Sequence, residues 1–209
     1  MLAELTVKEF LDKVASSDPV PGGGSIAALN GAVASALTAM VAGLTVGKKG
    51  YEEHEELMKH ISRLSIGQQE LFVEYIDRDS EAYDRVFGCF KLPKTTDEEK
   101  AARSAAIQEA TRFAALIPMQ VARNACELME IIADVARLGN RNAITDACVA
   151  MMAARSAVLG ALLNVRINLA SLKDTAFVDE LKREACRLEQ LACTREKELL
   201  EVVNQELNQ

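Results

Sequence analysis

Proline is nearly absent from this chain. From residue 22 to residue 209 only Pro93 and Pro118 interrupt the backbone donors, and the rest is rich in Ala, Leu, Glu, Lys and Arg, all good helix formers. An all-β fold needs frequent turns and alternating strands, and the sequence supplies neither. The chain is therefore expected to be all-α.

Local signals divide it into helices. Thr6-Val-Lys-Glu9 and Thr96-Asp-Glu-Glu99 are capping boxes, in which a Thr oxygen and a Glu carboxylate satisfy orphan amides. They predict a short amphipathic helix over Val7 to Ser16 and a long one ending near Leu138, bent at Pro118 where the ring removes one hydrogen bond. Asp18-Pro-Val-Pro-Gly-Gly-Gly24 breaks the first helix, with Ser25 as N-cap of a helix reaching about Gly47. A long amphipathic pattern runs from Tyr51 to Phe90 and stops at Leu92-Pro93. After the turn Gly139-Asn-Arg-Asn142 come an apolar helix to about Leu172 and a charged amphipathic helix from about Ala176 to the end. The expected architecture is one domain over residues 1–209, a bundle of about five long antiparallel helices behind a short N-terminal one.

The segment from Gly22 to Gly47 carries no charge at all, long enough to span a bilayer. It is mostly Ala, Gly, Ser and Thr and lacks aromatic anchors on its N-terminal side, so a buried helix of a soluble protein is expected rather than a membrane span. Ala27, Gly31, Ser35, Ala39, Gly43 and Gly47 recur every four residues, a ridge low enough for another backbone to approach. The apolar helix after Asn142 has a matching set in Ala147, Ala150, Ala154, Ala157 and Ala161. These two helices are expected at the centre, against each other or across a symmetry axis.

Charge and cysteine content exclude several classes. The formal net charge is −7, with no basic helix face interleaved with aromatics, which argues against nucleic-acid binding. Five cysteines, an odd number without a Cys-x-x-Cys pair, and charged residues where a signal peptide would be apolar, point to reduced thiols and a cytoplasmic location. His54 and His60 are six apart, the wrong spacing for a metal pair on one helix face, and no other metal site is evident.

The chemistry concentrates on a few positions. Pro21, Gly22, Gly23, Gly24 and Ser25 put side-chain-free backbone before a helix N-terminus, where free amides and the dipole suit negative charge. No strand precedes it and no Gly-Lys-[Ser/Thr] follows, so a nucleotide P-loop is excluded. Asp79 falls on the apolar stripe of Phe72, Ile76, Tyr83 and Val86, whereas Glu74, Asp77, Arg78, Glu81 and Arg85 share the solvent face. A carboxylate there is either a salt-bridged core residue or a general acid–base whose pKa burial has raised. Asp146, in a first helical turn, complements the helix dipole. Arg155 and Arg166 are expected to pair with carboxylates of another helix. Lys48 and Lys49 close the uncharged helix, as dipole partners or as a carboxylate site.

Taken in order, Pro19-Val-Pro-Gly-Gly-Gly-Ser25 with Ala27-Ala28, Leu44-Thr-Val-Gly-Lys-Lys49, Asp77-x-Asp79-Ser-x-Ala-Tyr83, Leu92-Pro-Lys94 and Gly139-Asn-x-Asn142 with Thr145-Asp146 resemble the cyclodeaminase/cyclohydrolase family of tetrahydrofolate enzymes. The likeness runs from about residue 3 to 205, with Thr145 standing where Ser would be expected. It implies an all-helical homodimer that uses a tetrahydrofolate derivative as substrate and needs no cofactor or metal. The length implies a free-standing enzyme without a formiminotransferase domain. The implied reaction is cyclodeamination of 5-formimidoyltetrahydrofolate to 5,10-methenyltetrahydrofolate and ammonia; the alternative is hydrolysis of methenyltetrahydrofolate to 10-formyltetrahydrofolate, and a non-enzymatic helical scaffold is the rival class. On this resemblance Asp79 is the proton shuttle and Asp146 a pterin contact or second acid. Pro21, Gly22, Gly23, Gly24, Ser25 and Asn142 would line the substrate, with Lys48 or Lys49 facing its glutamate tail.

Overall fold

The computed structural model describes residues 1–208, and among these no strand occurs. Six α-helices follow one another: α1 (Val7–Val14), α2 (Gly23–Gly43), α3 (Glu55–Phe90), α4 (Asp97–Leu138), α5 (Ile144–Leu169) and α6 (Thr175–Leu207). Five are long and the first is short. Both capping boxes form, with the Thr6 and Thr96 hydroxyls accepting the amides of Glu9 and Glu99. Asp174 caps α6 in the same way, accepting from Phe177.

Other boundaries move. α2 ends at Gly43 and α5 at Leu169, earlier than the sequence suggested, and α4 is one continuous helix through Pro118. The N-cap of α2 is Gly22 rather than Ser25, which lies one turn inside. The Ser25 hydroxyl has a better acceptor available, the Ile76 carbonyl of α3 at 2.8 Å, and is consumed there.

α2 lies antiparallel to both α3 and α5. One end of the α2/α5 pair brings Gly23 beside Asn164 and Ala27 beside Gly160; the other brings Thr45 to Asn140, whose amide the Thr45 hydroxyl accepts at 2.8 Å. α4 closes the group by packing on α3 and α5, and α6 covers α4 and α5 from outside. Two arginines of α5 tie α6 down, Arg155 to Glu196 at 3.0 Å and Arg166 to Glu189 at 2.5 Å. Both are partly exposed, and both pair with carboxylates of another helix as expected.

The small-residue ridge is internal over its first half. Ala27, Gly31 and Ser35 are buried, and the space above Gly31 is filled by the fully buried ring of Phe72. A methyl group at Gly31 would sit 2.5 Å from Phe72 Cδ1. Overpacking of this kind costs about 1–3 kcal/mol, more than the roughly 1 kcal/mol that Ala gains over Gly in a helix. Gly31→Ala is therefore expected to lower the thermal midpoint, read by circular dichroism, while activity per folded molecule stays near wild type. A repeat of four drifts around a 3.6-residue helix, so by Gly43 the ridge has turned outward and is exposed.

α2 and the segment Arg141–Leu169 are each long and apolar enough to cross a membrane, and half of each is buried inside the fold.

Candidate functional site

Asp79 stands on α3 directly under the first turn of α2. The stripe drawn from periodicity survives in its first part: Phe72 and Ile76 are buried and Asp79 is half-buried, while Tyr83 further along is 41% exposed. The neighbour assigned to solvent, Asp77, is also half-buried, because its carboxylate accepts the Leu2 amide at 2.7 Å from the N-terminal segment.

No side chain caps α2, so the amides of Gly23, Gly24 and Ser25 have no partner within their own helix. The Asp79 carboxylate occupies the space beside them. Gly24 makes that approach feasible, since a Cβ at this position would collide with the Asp79 carboxyl group. Burial pushes the Asp79 carboxyl above its ordinary value, and the hydroxyl and amide of Ser25 pull it part of the way back. The hydroxyl contact is long, 3.4 Å to Oδ2, because the one proton of Ser25 goes to Ile76 at 2.8 Å. Asp79 makes no ion pair among the described residues. It is desolvated, loosely held and free to exchange a proton.

Asp79 opens into a cleft of about 330 Å³, within the size range of small-molecule sites. Its walls are the Pro19–Val20 and Gly22–Gly24 backbone, Ala82, Tyr83 and Val86 of α3, Ala114 of α4, and Asn164, Ile167 and Asn168 of α5. Asp79 is the only charged residue among them. Pro21 is buried behind this wall and Ser25 beneath it, so neither lines the cleft.

Asn164 and Asn168 had no place in the sequence reading. The Asn164 amide nitrogen donates to the Gly160 carbonyl at 2.9 Å, and that of Asn168 to the Ala114 and Asn164 carbonyls at 3.1 and 3.0 Å. With both nitrogens committed to backbone, the two side-chain oxygens are left as acceptors at the cleft wall. Two asparagines at i and i+4 in an otherwise apolar helix, where Asn is a weak helix former, were the available signal.

The remaining expected site residues lie at the other end of the bundle. Lys48 and Lys49 follow the C-terminus of α2, and Asp146 sits in the first turn of α5, each some twenty helical residues, or about 30 Å, from the Asp79 end. Asn142 is exposed there, its amide donating to Asn140 Oδ1 at 3.1 Å. The buried polar side chain of that turn is Asn140, which also holds the Leu44 carbonyl at 3.2 Å. Lysine ion pairs among the described residues involve Lys8, Lys59, Lys100 and Lys197, leaving Lys48 and Lys49 unpaired. Within one chain, then, the Asp79 cleft receives neither lysine, nor Asp146, nor Asn142.

The family model for formiminotransferase-cyclodeaminase matches residues 6–187, nearly the whole helical bundle. This chain belongs to that family. A methenyltetrahydrofolate cyclohydrolase from Methylorubrum extorquens is 41% identical over 208 residues, covering all of both chains. A formimidoyltransferase-cyclodeaminase from Rattus norvegicus is 30% identical over 194 residues, which are 93% of this chain but 36% of the rat protein. The solved structure of a formiminotetrahydrofolate cyclodeaminase from Thermotoga maritima superposes with a TM-score of 0.86 at 30% identity, covering 97% of this chain and 99% of that one. The all-helical architecture is thus that of the cyclodeaminase/cyclohydrolase family, and the Asp79 cleft is a feature of this member of it.

Proposed function

We propose that this member of the family, a folate one-carbon enzyme, hydrolyses 5,10-methenyltetrahydrofolate to 10-formyltetrahydrofolate, with Asp79 as the proton-transfer group. The observation that carries this is the cleft's single charge. The methenyl carbon bridging N5 and N10 is part of a cation, and Asp79 is the only charged residue lining the cleft. A desolvated carboxylate beside a cationic carbon both stabilises it and is poised to take a proton from an attacking nucleophile.

In hydrolysis, water adds to the bridging carbon as Asp79 takes one of its protons, giving a neutral tetrahedral carbinolamine. The carbon–N5 bond then breaks, Asp79 returns its proton to N5, and the hydroxyl proton leaves to solvent as the formyl C=O forms on N10. One carboxylate serves both proton transfers. The asparagine oxygens at the opposite wall are acceptors suited to the pterin's N–H groups.

The identity of 41% over both full chains favours this reading over cyclodeamination, the reaction implied first by the resemblance of the motifs. The Thermotoga relative keeps the second reading in view. There N10 attacks the amidinium carbon, and Asp79 moves the N10 proton to the departing nitrogen, releasing ammonia and leaving the methenyl cation. Both reactions pass through a tetrahedral carbon between N5 and N10, so one cleft serves either.

Near-ultraviolet absorbance of the methenyl compound separates them. Added methenyltetrahydrofolate is expected to bleach faster than in enzyme-free buffer, whereas absorbance rising from 5-formimidoyltetrahydrofolate would mark a cyclodeaminase. No change with either substrate would leave a helical scaffold. We read the protein as a cytoplasmic, metal-free homodimer that acts on a soluble folate. The five free cysteines support the location, with burial pushing the Cys126 thiol up to about 11. The half-burial of α2 and α5 supports a soluble fold.

A further inference from the structure

Hydrolysis of a methenyl cation to a neutral formyl product releases a proton at every turnover, and that proton arises in a cleft the folate fills. Once Asp79 has returned its first proton to N5, its carboxylate is free to take the hydroxyl proton of the collapsing carbinolamine. While the product stays in place, solvent cannot collect this proton from the cleft side. Held on Asp79 beside the new formyl group, it favours reclosure of the ring.

Behind Asp79, where α2 crosses α3, a pair of serine hydroxyls stands in series. Asp79 Oδ2 lies 3.4 Å from Ser25 Oγ, which in turn lies 3.3 Å from Ser80 Oγ. Ser25 is fully buried and Ser80 is 9% exposed; among the described residues the Ser80 side chain has no other hydrogen-bond partner. Ser80 is on the wall of an adjoining depression of about 510 Å³ that Asp79 does not line, and Asp79 is on the wall of the cleft that Ser80 does not line. The hydroxyls thus bridge separate compartments. Asp18, Asp77, Glu81 and Asp84 rim the depression against Lys13 alone, a negative field that draws a departing proton. One turn before Ser80, Asp77 holds the Leu2 amide through Oδ1, while its Oδ2 is buried without a partner. Packing alone gives no reason to leave a carboxylate oxygen so, but it is a ready acceptor at an outlet.

We propose that Ser25 and Ser80 relay the released proton from Asp79 through the α2/α3 crossing to the acidic depression, so that the site is discharged while product still fills the cleft. This rests on the reading of Asp79 as the proton carrier of hydrolysis. Protonated Asp79 donates to Ser25 Oγ, Ser25 passes its own proton to Ser80 Oγ, and Ser80 passes its own to water or to the Asp77 carboxylate. At each serine oxygen one O–H bond forms as another breaks, and the Asp79 carboxylate is regenerated. The resting contacts are long because the single Ser25 proton is held by the Ile76 carbonyl at 2.8 Å. That leaves the Ser25 lone pairs free to accept from Asp79 once it is protonated. The Ser25 O–H then turns from Ile76 to Ser80 to complete the path. Neither serine touches the substrate; both act through Asp79.

Ser80→Ala tests the relay. Alanine favours the helix and the contact removed is a single long one, so the variant should melt with wild type by circular dichroism. Its kcat for methenyltetrahydrofolate is expected to fall about tenfold with KM unchanged, short of the roughly 10²-fold or greater loss of the proton carrier itself. Ser80→Thr, which restores the hydroxyl, should recover most of the rate. In mixtures of H2O and D2O, wild-type kcat should fall along a bowed curve, as when several protons move in one step, and Ser80→Ala along a straight line. The acid limb of kcat/KM should stay in place, because Ser25 still faces Asp79. A straight line in wild type, or Ser80→Thr as slow as Ser80→Ala, overturns the relay. So does a displaced acid limb, which would make Ser80 a residue that sets the charge of Asp79. Ser80→Ala at the full wild-type rate ends the relay alone, whereas Asp79→Asn at the full rate ends the reading of Asp79 as proton carrier and the relay with it.

Discussion

Asp79→Asn is expected to lower kcat for methenyltetrahydrofolate hydrolysis by roughly 10²–10⁴-fold, about 3–5 kcal/mol of barrier, with the protein fully folded. The amide keeps the shape and the contacts with the α2 amides but cannot carry a proton from water to N5. In wild type, kcat/KM should fall on the acid side with a midpoint above that of an ordinary aspartate, because burial raises the carboxyl. The bound cation favours the ionised form, so the limb in kcat should lie at lower pH than the limb in kcat/KM. Stability runs the other way. With the folded pKa raised, the native state binds this proton more tightly than the unfolded chain, and the stability it contributes is lost as pH rises through the folded pKa. The Asn variant escapes that loss, so at neutral pH it should melt at or above the wild-type temperature. The difference should vanish below pH 3.8, the ordinary aspartate value. A variant that melts much lower at neutral pH would make Asp79 a structural partner of the α2 amides rather than a proton carrier.

The fold was legible because its signals are local. Thr6 and Thr96 announce helix starts through their own side chains, and Asp79 announces itself by standing where an apolar residue should be. Misreadings arise where a side chain's role is decided across the bundle. Ser25 has the composition of an N-cap, yet its hydroxyl bonds the Ile76 carbonyl of α3, a partner 51 residues away in sequence. Asp77 looked solvated because nothing in its helix shows that the Leu2 amide will fold onto it. The motif residues of the family resemblance appear in order along the chain, but order carries no distance. A rigid helix of 21 residues puts Gly23 and Lys48 at opposite ends of the molecule. Asn164 and Asn168 escaped notice for the same reason in reverse: far from Asp79 in sequence, they are brought to its cleft only by the antiparallel pairing of α2 with α5.

Gly24→Ala separates the catalytic use of α2 from its packing. Gly24 sits in the first turn of the helix, a backbone conformation that Ala prefers by up to about 1 kcal/mol, so the helix itself should accept the change. The added methyl meets the end of the Asp79 side chain, which can rotate away, rather than a packed ring as at Gly31. The expected result is a thermal midpoint within a few degrees of wild type and a kcat/KM lower by about 10²-fold, the scale of loss for a catalytic group displaced by about 1 Å. The decisive measurement is the double variant. If the methyl acts only by moving the carboxylate, then in an Asp79→Asn background it should cost almost nothing further, and the two losses will be strongly non-additive. Losses that multiply would show that the methyl obstructs the substrate directly, with Gly24 serving as a wall of the cleft rather than as room for Asp79.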